Sequence, residues 1–364
     1  MGSDELAETR REIAEIDRQI VDLAARRGEL AGRVGVLKRQ SGAPIRDYAH
    51  EKVVVERARR LAEAAGLSGD LAERLMLELI QSSLLVQEQY QVQESSAGSG
   101  RSALVVGGSG QMGQWFVRFM RSQGYAVSIA DPRGSDTDQK TWDATDKAYD
   151  ITVVAAPLKV TADILGEMAR KPPEGVVIDI GSLKTPLRSA LTELTDAGGV
   201  VASIHPMFGP ETKLLSGRHV VVVDLGVERA TAAARALFAP TMVSVVEMDL
   251  DSHDRLIAYI LGLSHALNIA FFTALAGSGE TAGRLADLSS TTFDRQLAVA
   301  NQVAKENPSL YFEIQSLNDY GKESLTALGE AVEKLRTVVE NGDLDGFTAL
   351  MESGAGYFEQ TGLG

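Results

Sequence analysis

Residues 103–113 read Ala-Leu-Val-Val-Gly-Gly-Ser-Gly-Gln-Met-Gly, and Gln-Trp-Phe-Val-Arg-Phe-Met follows at 114–120. A short β-branched run ends in a glycine cluster, and the cluster opens a helical pattern carrying Trp115, Phe116 and Phe119. Gly108, Gly110 and Gly113 stand in G-x-G-x-x-G register. The first glycine allows the tight turn, the second lets a pyrophosphate approach the backbone, and the third lets the helix pack close to the sheet. The phosphates then meet the helix N-terminus, where N–H groups and the dipole favour anions. Asp131 ends the next run, 23 residues after Gly108. A carboxylate there accepts bonds from a ribose 2′-hydroxyl and repels a 2′-phosphate. The turn therefore predicts NAD, and Arg133 is the one feature that leaves NADP open.

Outward from the turn, β-branched runs at 103–106, 126–130, 151–155, 176–180, 200–204 and 220–224 alternate with helical patterns. That alternation predicts βαβ units around a parallel sheet. Upstream, Leu6, Ile13, Ile16, Ile20, Leu23, Leu30, Val34 and Leu37 recur at helical spacings, one stripe from residue 5 to about 40. At ~1.5 Å per residue this helix reaches roughly 50 Å, too long for its own short domain to cover, which predicts a partner chain. Ser41-Gly42-Ala43-Pro44 ends it, and two further helices are expected over 47–65 and 69–93. Ser95-Ser96-Ala97-Gly98-Ser99-Gly100 has the composition of a flexible linker. Beyond 249 only helical patterns remain. The expected architecture is an α/β Rossmann-type dinucleotide-binding domain (102–248) behind a linker (95–101), flanked by an all-α three-helix domain (1–94) and an all-α C-terminal domain (249–364).

The 364 residues suffice for several domains, and 44% apolar with 24% charged residues argues against global disorder. A net charge of −14 disfavours nucleic acid and anionic membranes as partners. The absence of cysteine excludes disulfides, thiolate metal sites and a cysteine nucleophile, and fits a reducing cytoplasm. The charged N-terminal stretch predicts no signal peptide, and no uninterrupted apolar run of ~18–20 residues predicts a membrane span. His50, His219 and His253 form no metal-ligand pattern with carboxylates, so no metal is expected.

Three motifs are more specific: Gly107-Gly108-Ser109-Gly110-Gln111-Met112-Gly113, Asp179-Ile180-Gly181-Ser182-Leu183-Lys184 and His205-Pro206-Met207-Phe208-Gly209-Pro210. In this order they resemble the prephenate dehydrogenase family, above all its bifunctional members with chorismate mutase at the N-terminus. The resemblance covers nearly the whole chain and implies an oxidative decarboxylation of prephenate to 4-hydroxyphenylpyruvate with NAD. It implies that His205 is the general base on the ring hydroxyl, a role suited to histidine. Ser182 would bond to His205 and to that hydroxyl, and His265 would contact substrate or tyrosine. Gly108, Gly110, Gln111, Met112, Gly113 and Asp131 would hold the cofactor, and the C-terminal domain would dimerise.

The resemblance also makes 1–94 a chorismate mutase, whose pericyclic rearrangement needs a clamped conformer and charge stabilisation rather than a base. It implies that Arg10, from a partner chain, and Arg27 grip carboxylates, with Ser83 beside one of them. Lys38 and Gln87 would bond to the ether oxygen, while Asp47 and Glu51 face the ring hydroxyl. His50 departs from the pattern, because the family usually carries arginine there.

A second departure lies before Asn307-Pro308, where the family's usual arginine positions fall on Asp294 and Gln302. Arg295 stands seven residues from Gln302 on the same helix face and is the expected replacement. The alternative is a different substrate, 4-amino-4-deoxyprephenate, whose ring ammonium suits an extra aspartate. The matching function is a 4-amino-4-deoxychorismate mutase and 4-amino-4-deoxyprephenate dehydrogenase of an antibiotic pathway. A third possibility is a lapsed enzyme acting as a ligand-sensing dimer. The sequence favours the bifunctional enzyme of tyrosine synthesis, a cytoplasmic homodimer acting on small molecules.

Overall fold

The computed structural model describes residues 2–361. Strands β1 (Ser102–Val106), β2 (Ala126–Ala130), β3 (Ile151–Val154), β4 (Val176–Asp179), β5 (Val200–Pro206), β6 (His219–Val223) and β7 (Ser244–Met248) make one sheet. Its order is β2-β1-β3-β4-β5-β6-β7. The first five strands run parallel and β6 lies antiparallel on β5. Strand order reverses at β1, so the crevice at the carboxyl ends of β1 and β3 is the topological switch point where such sheets bind ligands.

Helix α4 (Gln111–Ser122) packs on this sheet because Phe116, Met120 and Trp115 recur along one face. They join Val105, Ile151, Val153, Ile178, Ile204 and Phe238, the last from α7 (Glu228–Phe238), in the main core. Each such side chain contributes on the order of 1.5–3 kcal/mol by burial. Trp115 packs at 4.8 Å on Phe119 and 5.0 Å on Phe208, which ties the loop after β5 to α4.

The N-terminal helices are α1 (Gly2–Gln40), α2 (Tyr48–Ala64) and α3 (Gly69–Ser95). Among the described residues nothing covers the apolar stripe of α1: Leu6, Ile13, Ile16, Ile20 and Leu30 are exposed. Three local features differ from expectation. Residues 95–100 are not a loose tether, since Gly98 is buried against Tyr125 and donates its N–H to the Gln123 carbonyl. Strand β5 runs on to Pro206 because Pro206 pairs with Val220. Strand β7 escapes the sequence reading because it is an exposed edge without apolar alternation.

The chain divides into two units. The first holds residues up to 156, 167–180 and 194–247, so α1–α3 and the sheet belong together. The second holds 157–166, 181–193 and everything from 248. It includes α8 (Leu250–Ile257), a π-helical turn (Ala258–Leu263), α9 (Ser264–Gly277), α11 (Thr291–Ala304), α12 (Pro308–Ser316), α13 (Gly321–Glu340) and α14 (Leu344–Thr361). Helix α5 (Leu158–Arg170) and helix α6 (Arg188–Asp196) cross the division, and the short α10 (Ala282–Asp287) precedes α11. The run Leu250–Gly277 is long and apolar enough to cross a membrane by length and composition, a feature the sequence reading passed over. Within its unit α11, α12 and α13 pack along it.

Candidate active sites

Glycine is required at the turn after β1 by contact, not only by register. Gly107 has φ +78°, and a Cβ there would lie 2.6 Å from the Ala155 carbonyl after β3. A Cβ on Gly108 would meet Ile129 at 2.7 Å, and one on Gly113 would meet the Gly107 carbonyl at 2.1 Å. Gly110 is the N-cap of α4 and makes no side-chain cap, leaving the first N–H groups of a twelve-residue helix, from Gln111 and Met112 onward, to an anion. Asp131 is 8% exposed, and its carboxylate accepts the N–H groups of Ser109 at 3.1 Å and Arg133 at 2.9 Å. The carboxylate is thus fixed beside the glycine turn with lone pairs left for a diol. These residues fit a dinucleotide.

His205 is 5% exposed near the carboxyl end of β5, on the same edge of the sheet as the glycine turn. The loop behind it is held by Trp115, whose indole N–H donates to the Thr212 carbonyl at 2.8 Å. The helix that opens at the cradle therefore also fixes the His205 loop.

In the N-terminal helices, Arg27 of α1 reaches α3 and donates to Ser83 Oγ and the Leu79 carbonyl, both at 2.7 Å. Its partial burial pulls its pKa down from the ordinary value. Lys38 donates to the Ile45 carbonyl at 2.7 Å. Gln87 is buried on α3 against Gly35, where a Cβ would come within 2.7 Å of Gln87 Cγ. Glu51 pairs with Arg46 at 3.1 Å, a cation the sequence reading missed. Asp47 caps α2 by accepting the His50 N–H at 2.9 Å. Arg10 lies on the exposed part of α1, roughly 26 Å along the helix from Arg27.

In the second unit His265 stacks on Tyr311 with ring centroids 4.0 Å apart, and burial lowers its pKa. Asn268, on the same helix, accepts from Gln296 at 3.0 Å. Arg295 falls on the exposed side of α11, and its neighbour Gln296 is the residue turned to α9. Asp294 occupies the first turn of α11, where it accepts from Ser289 and faces the positive end of the dipole. A cavity of about 270 Å³ lined by Phe272, Leu275, Phe293 and Leu297 contains none of the expected site residues. Among the described residues no group of three His, Asp or Glu is arranged for a metal.

Several buried polar atoms lack a hydrogen-bond partner, and they include Gln87 Oε1, Ser182 Oγ and His265 Nδ1. An unmade bond at a buried polar atom costs about 1–3 kcal/mol, which a ligand can recover.

Three family models match in chain order: chorismate mutase type II over 9–88, the nucleotide-binding domain of prephenate dehydrogenase over 122–246, and its dimerization domain over 249–353. The chain is 27% identical to a T-protein of Enterobacter agglomerans, covering 86% of this chain and 82% of that one. It is 30% identical to a 4-amino-4-deoxyprephenate dehydrogenase of Streptomyces pristinaespiralis over 68% of this chain and 88% of the relative. A relative from Methanocaldococcus jannaschii, named "Probable arogenate/prephenate dehydrogenase", is 25% identical, and the match spans 60% of its length. In fold the chain is similar to the prephenate dehydrogenase of Aquifex aeolicus crystallised with hydroxyphenyl propionate and NAD+. That likeness has a TM-score of 0.57 at 18% identity and covers 71% of this chain and 98% of the other.

Proposed function

The chain belongs to the bifunctional chorismate mutase/prephenate dehydrogenase family, and from that premise we propose that it performs both reactions in tyrosine synthesis. The helices of 1–94 rearrange chorismate to prephenate. The domains over 102–248 and 249–364 oxidise prephenate to 4-hydroxyphenylpyruvate with loss of CO2. The T-proteins match across both the mutase and the dehydrogenase parts of the chain, whereas the 4-amino-4-deoxyprephenate dehydrogenase matches 68% of it.

The observation that carries this reading is the coincidence of unpaired buried atoms with expected contacts. Gln87, Ser182 and His265 each hold a buried polar atom without a partner, and the proposal gives each a substrate group to meet.

On the mutase side, Arg27 beside Ser83 holds a carboxylate, and Lys38 with Gln87 stabilises charge on the breaking ether oxygen. Asp47 and Glu51 border the ring hydroxyl. The chain supplies no base, because the rearrangement moves no proton.

On the dehydrogenase side, Gly108, Gly110, Gln111, Met112, Gly113 and Asp131 hold NAD, which accepts hydride from ring C4 when bound. His205 takes the hydroxyl proton as that carbon becomes a carbonyl. Ser182 orients the same hydroxyl, and His265 with Arg295 contacts the remainder of the substrate. The exposed stripe of α1 is covered by a second copy, which places Arg10 of that copy at the mutase site. The protein is then a cytoplasmic homodimer.

The test is turnover by the full chain of chorismate, of prephenate with NAD, and of 4-amino-4-deoxyprephenate with NAD. Rearranged chorismate and oxidised prephenate are expected. Preference for the amino compound moves the enzyme to the specialised pathway, and turnover of none overturns the reading.

A further inference from the structure

Asp254 on α8 has no place in the reactions above, yet its side chain is 0% exposed and accepts four donors. The Lys184 N–H bonds to its two oxygens at 2.9 and 3.1 Å. The Thr185 N–H and hydroxyl bond to Oδ2, and His253 Nδ1 lies 2.6 Å from Oδ1. Asn318 fixes the same residue from behind by donating to the Asp254 carbonyl at 2.8 Å. Burial works to raise the Asp254 carboxyl, but the donors on His253, Thr185 and Lys184 outweigh it and hold it below its ordinary value.

The donors identify what Asp254 does. Thr185–Leu187 is a 3₁₀ turn that leads into α6 at Arg188, and Lys184 at its start makes no side-chain cap. Those leading N–H groups need an acceptor. A serine or aspartate at position 184 would supply one locally. The fold instead reaches 70 residues along the chain and buries a charge to do it, which is costly unless the charge is fully bonded. What the arrangement secures is the backbone at Lys184 and Thr185, the end of the path that leads in from residue 181. Ser182 lies in that path, two residues before Lys184, and its buried hydroxyl has no partner to hold it. With no bond on the hydroxyl, the backbone fixes the Cβ and so the few places its oxygen can take.

We propose that Asp254 is a positioning residue for the dehydrogenase step, acting through the Lys184 and Thr185 amides to hold Ser182 against the substrate hydroxyl. This rests on the role given to Ser182 above. Misplacement of about 1 Å at such a contact costs up to 10²-fold in rate.

The experiment is a double-mutant cycle in the full chain. Asp254→Asn offers one acceptor oxygen and turns an NH2 toward a donor, so kcat with prephenate is expected to fall about tenfold or more. The KM for NAD and the mutase turnover are expected to stay within about twofold, the latter serving as the folding control. Ser182→Ala with Asp254→Asn is expected to be no slower than Ser182→Ala alone, because a residue acting through Ser182 has nothing left to position. Additive losses, or an Asp254→Asn enzyme with the kcat of the parent, overturn the proposal. If Asp254→Asn loses mutase turnover as well, Thr185→Val decides, since it removes one donor and leaves the amides. A severalfold loss confined to the Ser182 background supports the proposal, and full activity overturns it. A Ser182→Ala enzyme as fast as the parent removes the Ser182 reading itself, which is distinct from normal turnover by Asp254→Asn alone.

Discussion

Glu88, one residue past Gln87 on α3, accepts the backbone N–H of Leu215 at 2.7 Å, in the loop that follows His205. Its second oxygen accepts the Met242 N–H at 2.6 Å, and the residue is 3% exposed. One carboxylate thereby joins the helix of the proposed mutase site to the loop of the proposed dehydrogenase base. Arg46 adds a parallel link, pairing with Glu51 while donating to Ser216 at 2.8 Å.

Glu88→Ala strands two buried amides, at about 1–3 kcal/mol each, offset by relief from burying a charge. A net loss of about 1–3 kcal/mol in urea unfolding is expected, with faster hydrogen exchange in peptides over 207–218. Burial raises the Glu88 pKa from 4.5, against the bonds from Leu215 and Met242. A raised folded pKa means that its stabilisation is full below 4.5 and declines as pH rises through the folded value. The gap between parent and variant should therefore narrow as pH rises above 4.5.

His205→Asn keeps a polar side chain at the end of β5 but removes the base. Dehydrogenase kcat is expected to fall about 10²–10⁴-fold while mutase turnover holds. Loss of both in separate assays on the purified chain would contradict the division of labour.

Gly35→Ala tests the mutase site without touching a charged group. The added Cβ would meet Gln87 Cγ at 2.7 Å, so the amide must move. Mutase kcat should drop about tenfold or more, approaching the ~10²–10³-fold loss expected for Gln87→Ala. Oxidation of supplied prephenate should be unaffected.

Asp131→Ser removes the carboxylate that holds the Ser109 amide and is proposed to hold the ribose. The KM for NAD is expected to rise about tenfold to 100-fold, with NADP gaining relative to it. Initial rates with both cofactors measure the change.

His265 is held neutral at pH 7 by burial, which lowers its pKa below 6.5. Its stabilising contribution is present above 6.5 and is lost as pH falls through the depressed folded value. An imidazole titration followed by NMR should have its midpoint below 6.5. In the dehydrogenase reading His265 then acts by hydrogen bonding rather than as a cation. His265→Gln should keep activity within about threefold and outperform His265→Ala.

The Rossmann-type sheet, the glycine turn and the three long helices were legible in the sequence because each is local. Strand runs, a Gly-x-Gly-x-x-Gly register and a period of three to four residues lie within short windows. His205 and Ser182 are candidates on their flanking motifs alone, and their roles stand as proposals. The edge strand β7 was not, since an exposed strand need not alternate. Nor was the role of Asp294, which reads as a lost substrate contact in sequence and stands as a helix-start acid in the fold.

By itself the sequence determined the order of the domains, the cofactor cradle and the types of residue available for chemistry. The tertiary structure decided their partners. It paired Arg46 with Glu51 and Ser216, made Asp47 a cap, anchored a glycine-serine linker through a buried Gly98, and set Asp254 on amides 70 and 69 positions away. Periodicity records which face of an element is apolar. A hydrogen bond between distant segments depends on where two backbones meet, and that leaves no period in the chain.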